Sequence, residues 1–382
     1  MKAFVYTEKG KIEKREIADA AFEPQSEEDR RSALLEPLYV SPCSSDVHTV
    51  FAGDGPRRQD LVLGHEGLAR VLRVGAEVKD FAAGDIVAVA AVMPEPGDIS
   101  GHKGVPFSGT KLGRNINGMW AERFVVPEAD SNLAHIPEGV TYEAALMAVD
   151  MMATGYTAVE EAGICDDQNV VVIGSGAVGL MAASGAAGRL QGTGRVIVIG
   201  SDKDPVHIEL AREMGTDIYI SYRDGRILFG EDRCDIDKYS ERDPRANSTQ
   251  SPAVEAVFKC TGGKGADRVL ICGGGQEALM QASDMAVYGS GIIVNVAYFE
   301  GSGTIGLPIF SLGRGMSGKT FKFELSRGGR GWIEKMLETA KETGSIQGKL
   351  ITDRMKGFDA IPEALELMHR RPAGTVKIMV EI

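Results

Sequence analysis

The run Val170-Val171-Val172-Ile173-Gly174-Ser175-Gly176-Ala177-Val178-Gly179 decides how this chain is read. Its four β-branched residues suit a strand buried on both faces of a parallel sheet. The glycines behind them keep the spacing Gly-x-Gly-x-x-Gly. Gly174 permits a tight turn, Gly176 lets backbone approach a pyrophosphate, and Gly179 allows a helix to pack closely on the strand. Backbone N–H groups at the start of that helix then face an anion. The spacing alone is a weak motif, and its setting between strand and helix is what gives it weight.

Downstream, strand-like runs at 169–173, 195–199, 268–272 and 291–296 are separated by helix-compatible segments such as Val206 to Met214. This alternation implies a doubly wound parallel sheet with crossover helices. Upstream the pattern differs. Residues 1–150 alternate short apolar runs with Gly, Pro and Asp breaks, as in Phe81 to Val89, which predicts a strand-rich, barrel-like domain. Beyond Leu325 come amphipathic stretches, Gly331 to Thr343 and Ile361 to Met368, and a final strand at Val376 to Val380. There is no internal repeat. Asp224 to Ser251, rich in charged and small polar residues, reads as an exposed surface excursion with no assigned function.

Three residues carry the chemistry. Cys43, His65 and Asp150 offer a thiolate, an imidazole and a carboxylate, which fill three corners of a zinc tetrahedron and leave one open for water or substrate. Cys43 lies in the loop Ser41-Pro42-Cys43-Ser44-Ser45-Asp46-Val47-His48 after apolar runs. His65 stands beside two glycines in Gly64-His65-Glu66-Gly67, between Leu61-Val62-Leu63 and a strand-like segment from Ala69 to Val74. A single cysteine, histidine or aspartate is more often structural. Metal together with a dinucleotide suggests an alcohol or polyol dehydrogenase.

In this order the Cys-x-Ser-Asp-x-His loop from Cys43 to His48, Gly-His-Glu at 64–66, Asp150-Met151-Met152-Ala153-Thr154-Gly155-Tyr156 and the glycine run resemble zinc-containing medium-chain dehydrogenases. The likeness covers nearly the whole chain. It is greatest to the bacterial tetrameric secondary-alcohol branch, which has an aspartate as third zinc ligand. Asn132 to Pro137, Lys349 to Thr352 and Gly357-Phe358-Asp359 also look like that branch. The Gly-His-Glu-x-x-Gly pattern departs at Ala69, which removes no ligand. Residues 67–149 hold no cysteine, so a structural four-cysteine zinc site is excluded and one catalytic zinc per chain is expected.

The resemblance implies a GroES-like catalytic domain at 1–150 and 326–382, and a Rossmann cofactor domain at 151–325. It implies that Ser45 takes the substrate proton, that His48 relays it, and that Glu66 binds the zinc in the absence of substrate or shapes its field. It places Thr154 on the nicotinamide and Lys377 at the pyrophosphate. The implied reaction is hydride transfer between an alcohol or ketone and NAD(P), by a homo-oligomer, tetramer or dimer. A zinc-free quinone or enoyl reductase and a non-catalytic dinucleotide-binding protein are the alternatives. Retention of all three ligand types argues against both.

Cofactor choice rests on the residues after Arg195 to Ile199, which read Gly200-Ser201-Asp202-Lys203. Gly200 stands where a ribose-binding acid is usual. NADP-using members of the branch follow Gly-Ser with an arginine. Here Asp202 would repel a 2′-phosphate while Lys203 would attract it, and Tyr222 matches a tyrosine that flanks the phosphate in those members. The Asp202 charge tips the reading to NAD(H) over NADP(H).

The substrate pocket of the family is partly lined by a tryptophan ahead of the aromatic at Trp120, where this chain has Ser108-Gly109-Thr110-Lys111-Leu112-Gly113-Arg114-Asn115. Leu325-Ser326-Arg327 likewise replaces an apolar residue, a cysteine and a proline. A polyol, hydroxyketone or anionic hydroxyl compound is therefore expected, with Lys111, Arg114 and Arg327 as contacts; read as surface cations, they leave an ordinary secondary-alcohol enzyme. Tyr298, near the expected nicotinamide pocket, suits both readings.

Composition bounds the rest. The formal net charge of −12 argues against nucleic acid or an anionic membrane as partner. No stretch approaches the ~20 apolar residues of a bilayer span, and the N-terminus lacks the apolar core of a secretion signal. Five cysteines, an odd number without a paired framework, suit a reducing cytoplasm.

Overall fold

The decisive run forms the strand Asn169–Ile173, buried along its whole length. A computed structural model describes residues 1–52, 60–94, 111–240, 244–299 and 304–382. These residues divide into two compact units, Met1–Ala153 with Ser326–Ile382, and Thr154–Leu325.

In the second unit one sheet runs, in spatial order, through Ile227–Phe229, Ile218–Ser221, Arg195–Gly200, Asn169–Ile173, Arg268–Ile271, Ile292–Asn295 and Thr320–Phe323. Its strands are parallel apart from Ile227–Phe229, which pairs antiparallel with Ile218–Ser221. Central strands are apolar throughout because helices such as Ala177–Ala187 and Pro252–Cys260 bury them. The helix expected from Val206 spans Pro205–Glu213, with Asp204 accepting a hydrogen bond from the Val206 N–H and Pro205 in the first turn. Three strands escaped the sequence reading, Ile218–Ser221, Ile227–Phe229 and Thr320–Phe323. Thr320–Phe323 is a half-exposed edge without a continuous apolar signal.

The excursion from Asp224 corrects two expectations. It contributes the edge strand Ile227–Phe229, and Ile227, Cys234 and Tyr239 pack on the core of the unit. Tyr239 also hydrogen-bonds Glu255, and Arg195 bonds Asp235 at 3.1 Å. The cysteines are not all unpaired either: Cys234 and Cys260 form a disulfide, while Cys43, Cys165 and Cys272 are free. A largely polar stretch is thus held by a few apolar anchors and a covalent link, neither of which a compositional reading weighs.

The first unit is built on a second sheet, ordered Ile351–Lys356, Lys377–Glu381, Ala33–Ser41, Glu66–Val74, Ile86–Val89 and Leu133–His135, with Phe124–Val126 also on Ala33–Ser41. The C-terminal strand therefore joins the N-terminal ones, Val380 opposite Val40. Ser41 stands opposite Glu66 in the antiparallel pair, so the loop leaving one strand at Cys43 meets the loop entering the other at His65. Lys377 opens the neighbouring strand, where the Ser41 hydroxyl donates to the Ile378 carbonyl at 2.6 Å. Asp150 caps the C-terminal end of the helix Tyr142–Val149. Among the described residues no helix is long and apolar enough to cross a membrane.

Candidate metal centre and dinucleotide loop

Cys43, His65, Glu66 and Asp150 each bring one possible ligand atom into a cluster in which all these atoms lie within 4.8 Å of one another. Cys43 Sγ is 3.5 Å from Asp150 Oδ2, and His65 Nε2 is 3.6 Å from the same oxygen. Glu66 Oε1 lies 3.9 Å from His65 Nε2. Cys43 caps the short helix Ser44–Val47, accepting from the Ser45 N–H at 3.5 Å, while its own N–H donates to Asp46 at 2.9 Å.

Asp46 belongs to the same loop as Cys43. Its buried carboxylate stands 3.3 Å from His65 Nδ1. That contact favours the tautomer with the proton on Nδ1, which turns the Nε2 lone pair toward the cluster. A carboxylate three residues past a cysteine is the signal that marks it. Ser45 Oγ is 3.2 Å from His65 Nε2, and His48 follows one turn later, its backbone N–H donating to the Ser44 and Ser45 carbonyls.

Lys377, expected at the pyrophosphate, has a partner that the sequence reading did not name. It is fully buried, with Nζ 2.7 Å from Glu66 Oε2, 2.8 Å from Glu66 Oε1 and 3.0 Å from the Pro42 carbonyl. An ammonium so enclosed is paired with the metal-site carboxylate. The sequence around it offered no hint of this, because the pairing partner lies more than 300 positions away in the chain.

Electrostatics supply the test of fit for a metal. Burial, then the Glu66 and Asp150 charges, push the Cys43 thiol up to about 11. Burial works against ionisation of Asp150 too, but hydrogen bonding and charge from His65 hold it below the ordinary carboxylate range. Burial and the Asp150 charge likewise push the Glu66 carboxyl up to about 8, and against its burial the Asp46 and Asp150 carboxylates raise His65, so the cluster without a cation holds on to its protons. A divalent cation would take the place of those protons, and the sulfur, nitrogen and oxygen donor set is one zinc accepts.

In the second unit Gly174 has φ of +106°, a conformation that favours glycine. Gly176 caps the helix Ala177–Ala187, and a Cβ built there meets no atom within 4 Å, so the surface is open where an anion would approach. Gly179 touches backbone: a Cβ would collide with the Gly174 carbonyl. Val178 is half-buried on the same helix, and Thr154 lies on the helix Met151–Ala162. These features fit a dinucleotide pyrophosphate.

Gly200 ends its strand where any side chain would collide with Tyr219 Oη and Ser175 Oγ. A side chain at that position would require Tyr219 and Ser175 to shift. Ser201 Oγ accepts from the Lys203 N–H at 3.3 Å, and Tyr222, half-exposed, donates its N–H to the Gly200 carbonyl at 2.9 Å. Asp202 is 11% exposed and is held by Arg226 at 3.0 Å, which also bonds Asp224 at 2.6 Å. Arg226 was not singled out in sequence, since its approach depends on the turn before Ile227.

Of the polar pocket candidates, Lys111 and Arg114 lie in the first unit, Ser108 to Thr110 fall outside the described residues, and Arg327 lies 5.2 Å over the Trp332 ring. Tyr298 is exposed in the second unit.

Residues 29–138 match the family model of the alcohol dehydrogenase GroES-like domain. The chain is 38% identical to an NADP-dependent isopropanol dehydrogenase of Clostridium beijerinckii over 354 residues, covering 91% of this chain and 92% of that one. It is 35% identical to the NADP-dependent isopropanol dehydrogenase of Thermoanaerobacter brockii, covering 100% of this chain and 99% of the relative. Its fold is similar to that of an alcohol dehydrogenase from Thermus sp. ATN1, with a TM-score of 0.77, 24% identity and 100% of both chains covered.

Proposed function

The chain belongs to the zinc-dependent medium-chain alcohol dehydrogenases and interconverts alcohols and ketones with NAD(P), and from that premise we propose which residues do so. Cys43, His65 and Asp150 hold one zinc, which when bound supplies Lewis acidity toward the substrate oxygen. The observation that carries this reading is the cluster of donor atoms within 4.8 Å, with Asp46 orienting the histidine. Ser45, 3.2 Å from His65 Nε2, takes the hydroxyl proton of the alcohol, and His48 passes it outward. Glu66, held by Lys377, shapes the field of the site. Thr154, Val178 and the glycines at 174, 176 and 179 hold the cofactor, with Gly200, Ser201, Asp202, Lys203 and Tyr222 at its adenosine end.

Metal analysis and a kinetic assay test this together. About one zinc per chain and NAD(P)-linked oxidation of secondary alcohols, lost on chelation, are expected. A folded, metal-free protein that reduces quinones would replace the reading with that of a zinc-independent reductase.

The relatives named above are NADP-dependent and lend no support to a preference for NAD(H). Asp202 supports it. One of its oxygens is tied to Arg226, which two carboxylates already engage, and the other is buried without a hydrogen-bond partner. A 2′-phosphate would have to displace those carboxylates, whereas a ribose hydroxyl can donate to one. Asp202→Asn, which releases Arg226, should move the ratio of kcat/KM ~10- to 100-fold toward NADP(H), the size of one charge-assisted contact. A wild-type enzyme already preferring NADP(H) tenfold would defeat the proposal.

We place the oligomer contact at the edge strand Thr320–Phe323, where Phe323, Met316 and Ile309 are exposed. An edge with no further strand on it among the described residues, beside apolar side chains, invites a second copy. Sedimentation equilibrium of wild type against Phe323→Lys checks it, with dissociation expected in the variant.

A further inference from the structure

The helix Pro205–Glu213 follows the stretch Gly200 to Asp204, and its third residue, His207, reaches across to the glycine run. His207 Nδ1 lies 2.8 Å from the Ser175 carbonyl oxygen. A carbonyl can only accept, so Nδ1 carries a proton and donates it. On the other side of the ring Asp204 Oδ2 stands 3.5 Å from Nε2, while Asp204 Oδ1 accepts from the Val206 N–H at 3.0 Å and so caps the helix. The side chains of His207 and Asp204 are only 17% and 13% exposed, which leaves the ring little room to turn. One imidazole thus joins the loop proposed at the pyrophosphate to the loop proposed at the adenosine end.

The Ser175 carbonyl matters because of what shares its peptide plane. A trans peptide is planar with its N–H opposite its C=O, and no cis bond occurs among the described residues. Turning the Ser175 carbonyl onto His207 therefore turns the Gly176 N–H away from His207. Gly176 caps the helix Ala177–Ala187, and a Cβ built there meets nothing within 4 Å. The ends of the turn are tied by backbone: the Gly174 N–H donates to the Ile199 carbonyl at 2.9 Å, and the Gly176 carbonyl accepts from the Leu180 N–H at 2.9 Å. Between those ties the Ser175–Gly176 peptide can swing about the Gly176 φ, since glycine lacks the Cβ that restricts other residues. The His207 hydrogen bond is what stops it.

We infer that His207 is a positioning residue for the cofactor: by holding the Ser175 carbonyl it aims the Gly176 N–H at the pyrophosphate of NAD(P)(H), and through Asp204 it fixes that loop against the residues at the adenosine end. The inference rests on the dinucleotide reading above and deepens it. His207 acts through the Ser175–Gly176 peptide and takes no part in hydride transfer.

Fluorescence titration with NADH and NADPH, alongside steady-state kinetics, compares the wild type with His207→Leu and His207→Asn. An asparagine amide can place an N–H near where Nδ1 stands, and leucine has no donor. For the preferred cofactor Kd and KM should rise ~10-fold in His207→Leu, the yield of one hydrogen bond, and stay within ~3-fold of wild type in His207→Asn. The KM for alcohol at saturating cofactor and the zinc per chain should be the same in all three. A Kd within ~2-fold of wild type in His207→Leu, or an asparagine variant as weak as the leucine one, would overturn the positioning role and leave the dehydrogenase intact. If the wild type binds neither NADH nor NADPH, the parent reading fails and the inference with it. Where His207→Leu does not fold, the wild type decides. Proton–nitrogen correlation NMR at alkaline pH, with the signal assigned by its loss in His207→Asn, should show the ring protonated on Nδ1, and a proton on Nε2 alone would overturn the inference.

Discussion

Cys43→Ala, His65→Ala and Asp150→Ala should each lower kcat for alcohol oxidation at least ~10³-fold, because removing a ligand costs the several kcal/mol of charge stabilisation that a bound metal supplies. The three side chains share one cluster and sit at the ends of elements whose backbones are held elsewhere, Cys43 after Ala33–Ser41, His65 before Glu66–Val74 and Asp150 after Tyr142–Val149. Circular dichroism should therefore show a folded protein while zinc per chain, read by atomic absorption, falls well below one. Asp150→Cys should retain metal, since a thiolate is itself a zinc ligand. Asp46→Ala should be milder, a ~10- to 100-fold loss in metal affinity or activity, as expected of a group that only orients His65. Wild-type activity in any one of the three ligand variants would remove that residue from the site.

The largest effect on stability is expected at Lys377. Its ammonium and the Glu66 carboxylate are both fully buried and meet at 2.7 Å. Breaking such a pair from one side leaves a charge in low dielectric, at a cost of ~3–5 kcal/mol. Lys377→Met should accordingly lower the Tm of the metal-free protein by ~6–20 °C. The double variant Lys377→Met with Glu66→Gln should recover a large part of that loss, because it removes the stranded charge as well. Thermal unfolding of the four proteins under one buffer condition decides the matter. A Tm for Lys377→Met within ~2 °C of wild type, below what one kcal/mol would shift in a domain of this size, would show that the two groups are not coupled as an ion pair.

Lys377 also shows where sequence reading stops. Its role was drawn from likeness to a family position at the pyrophosphate, and a strand-opening lysine in a tail of alternating apolar residues gives no other sign. Only the pairing of that tail with Ala33–Ser41, whose next neighbour begins at Glu66, brings ammonium and carboxylate together. Arg226 and the Cys234–Cys260 disulfide are of the same kind, since each depends on the path of a polar stretch whose composition says only that it is solvated.

What the sequence by itself determined is local. A β-branched run followed by glycines at fixed spacing reads as buried strand, tight turn and helix start, so the phosphate-facing loop is legible from a single window of chain, and the sheet type from the alternation that follows it. Ligand chemistry is local in the same sense, because thiolate, imidazole and carboxylate keep their donor character wherever they stand. Distances between such groups are not local. The tertiary structure alone decided that Asp46 turns His65, that Lys377 pairs with Glu66 and that Gly113 and Gly118 pack on the His65 loop. Those contacts arise from strand register and backbone packing between segments far apart in the chain, and their energies depend on burial, which no single segment specifies.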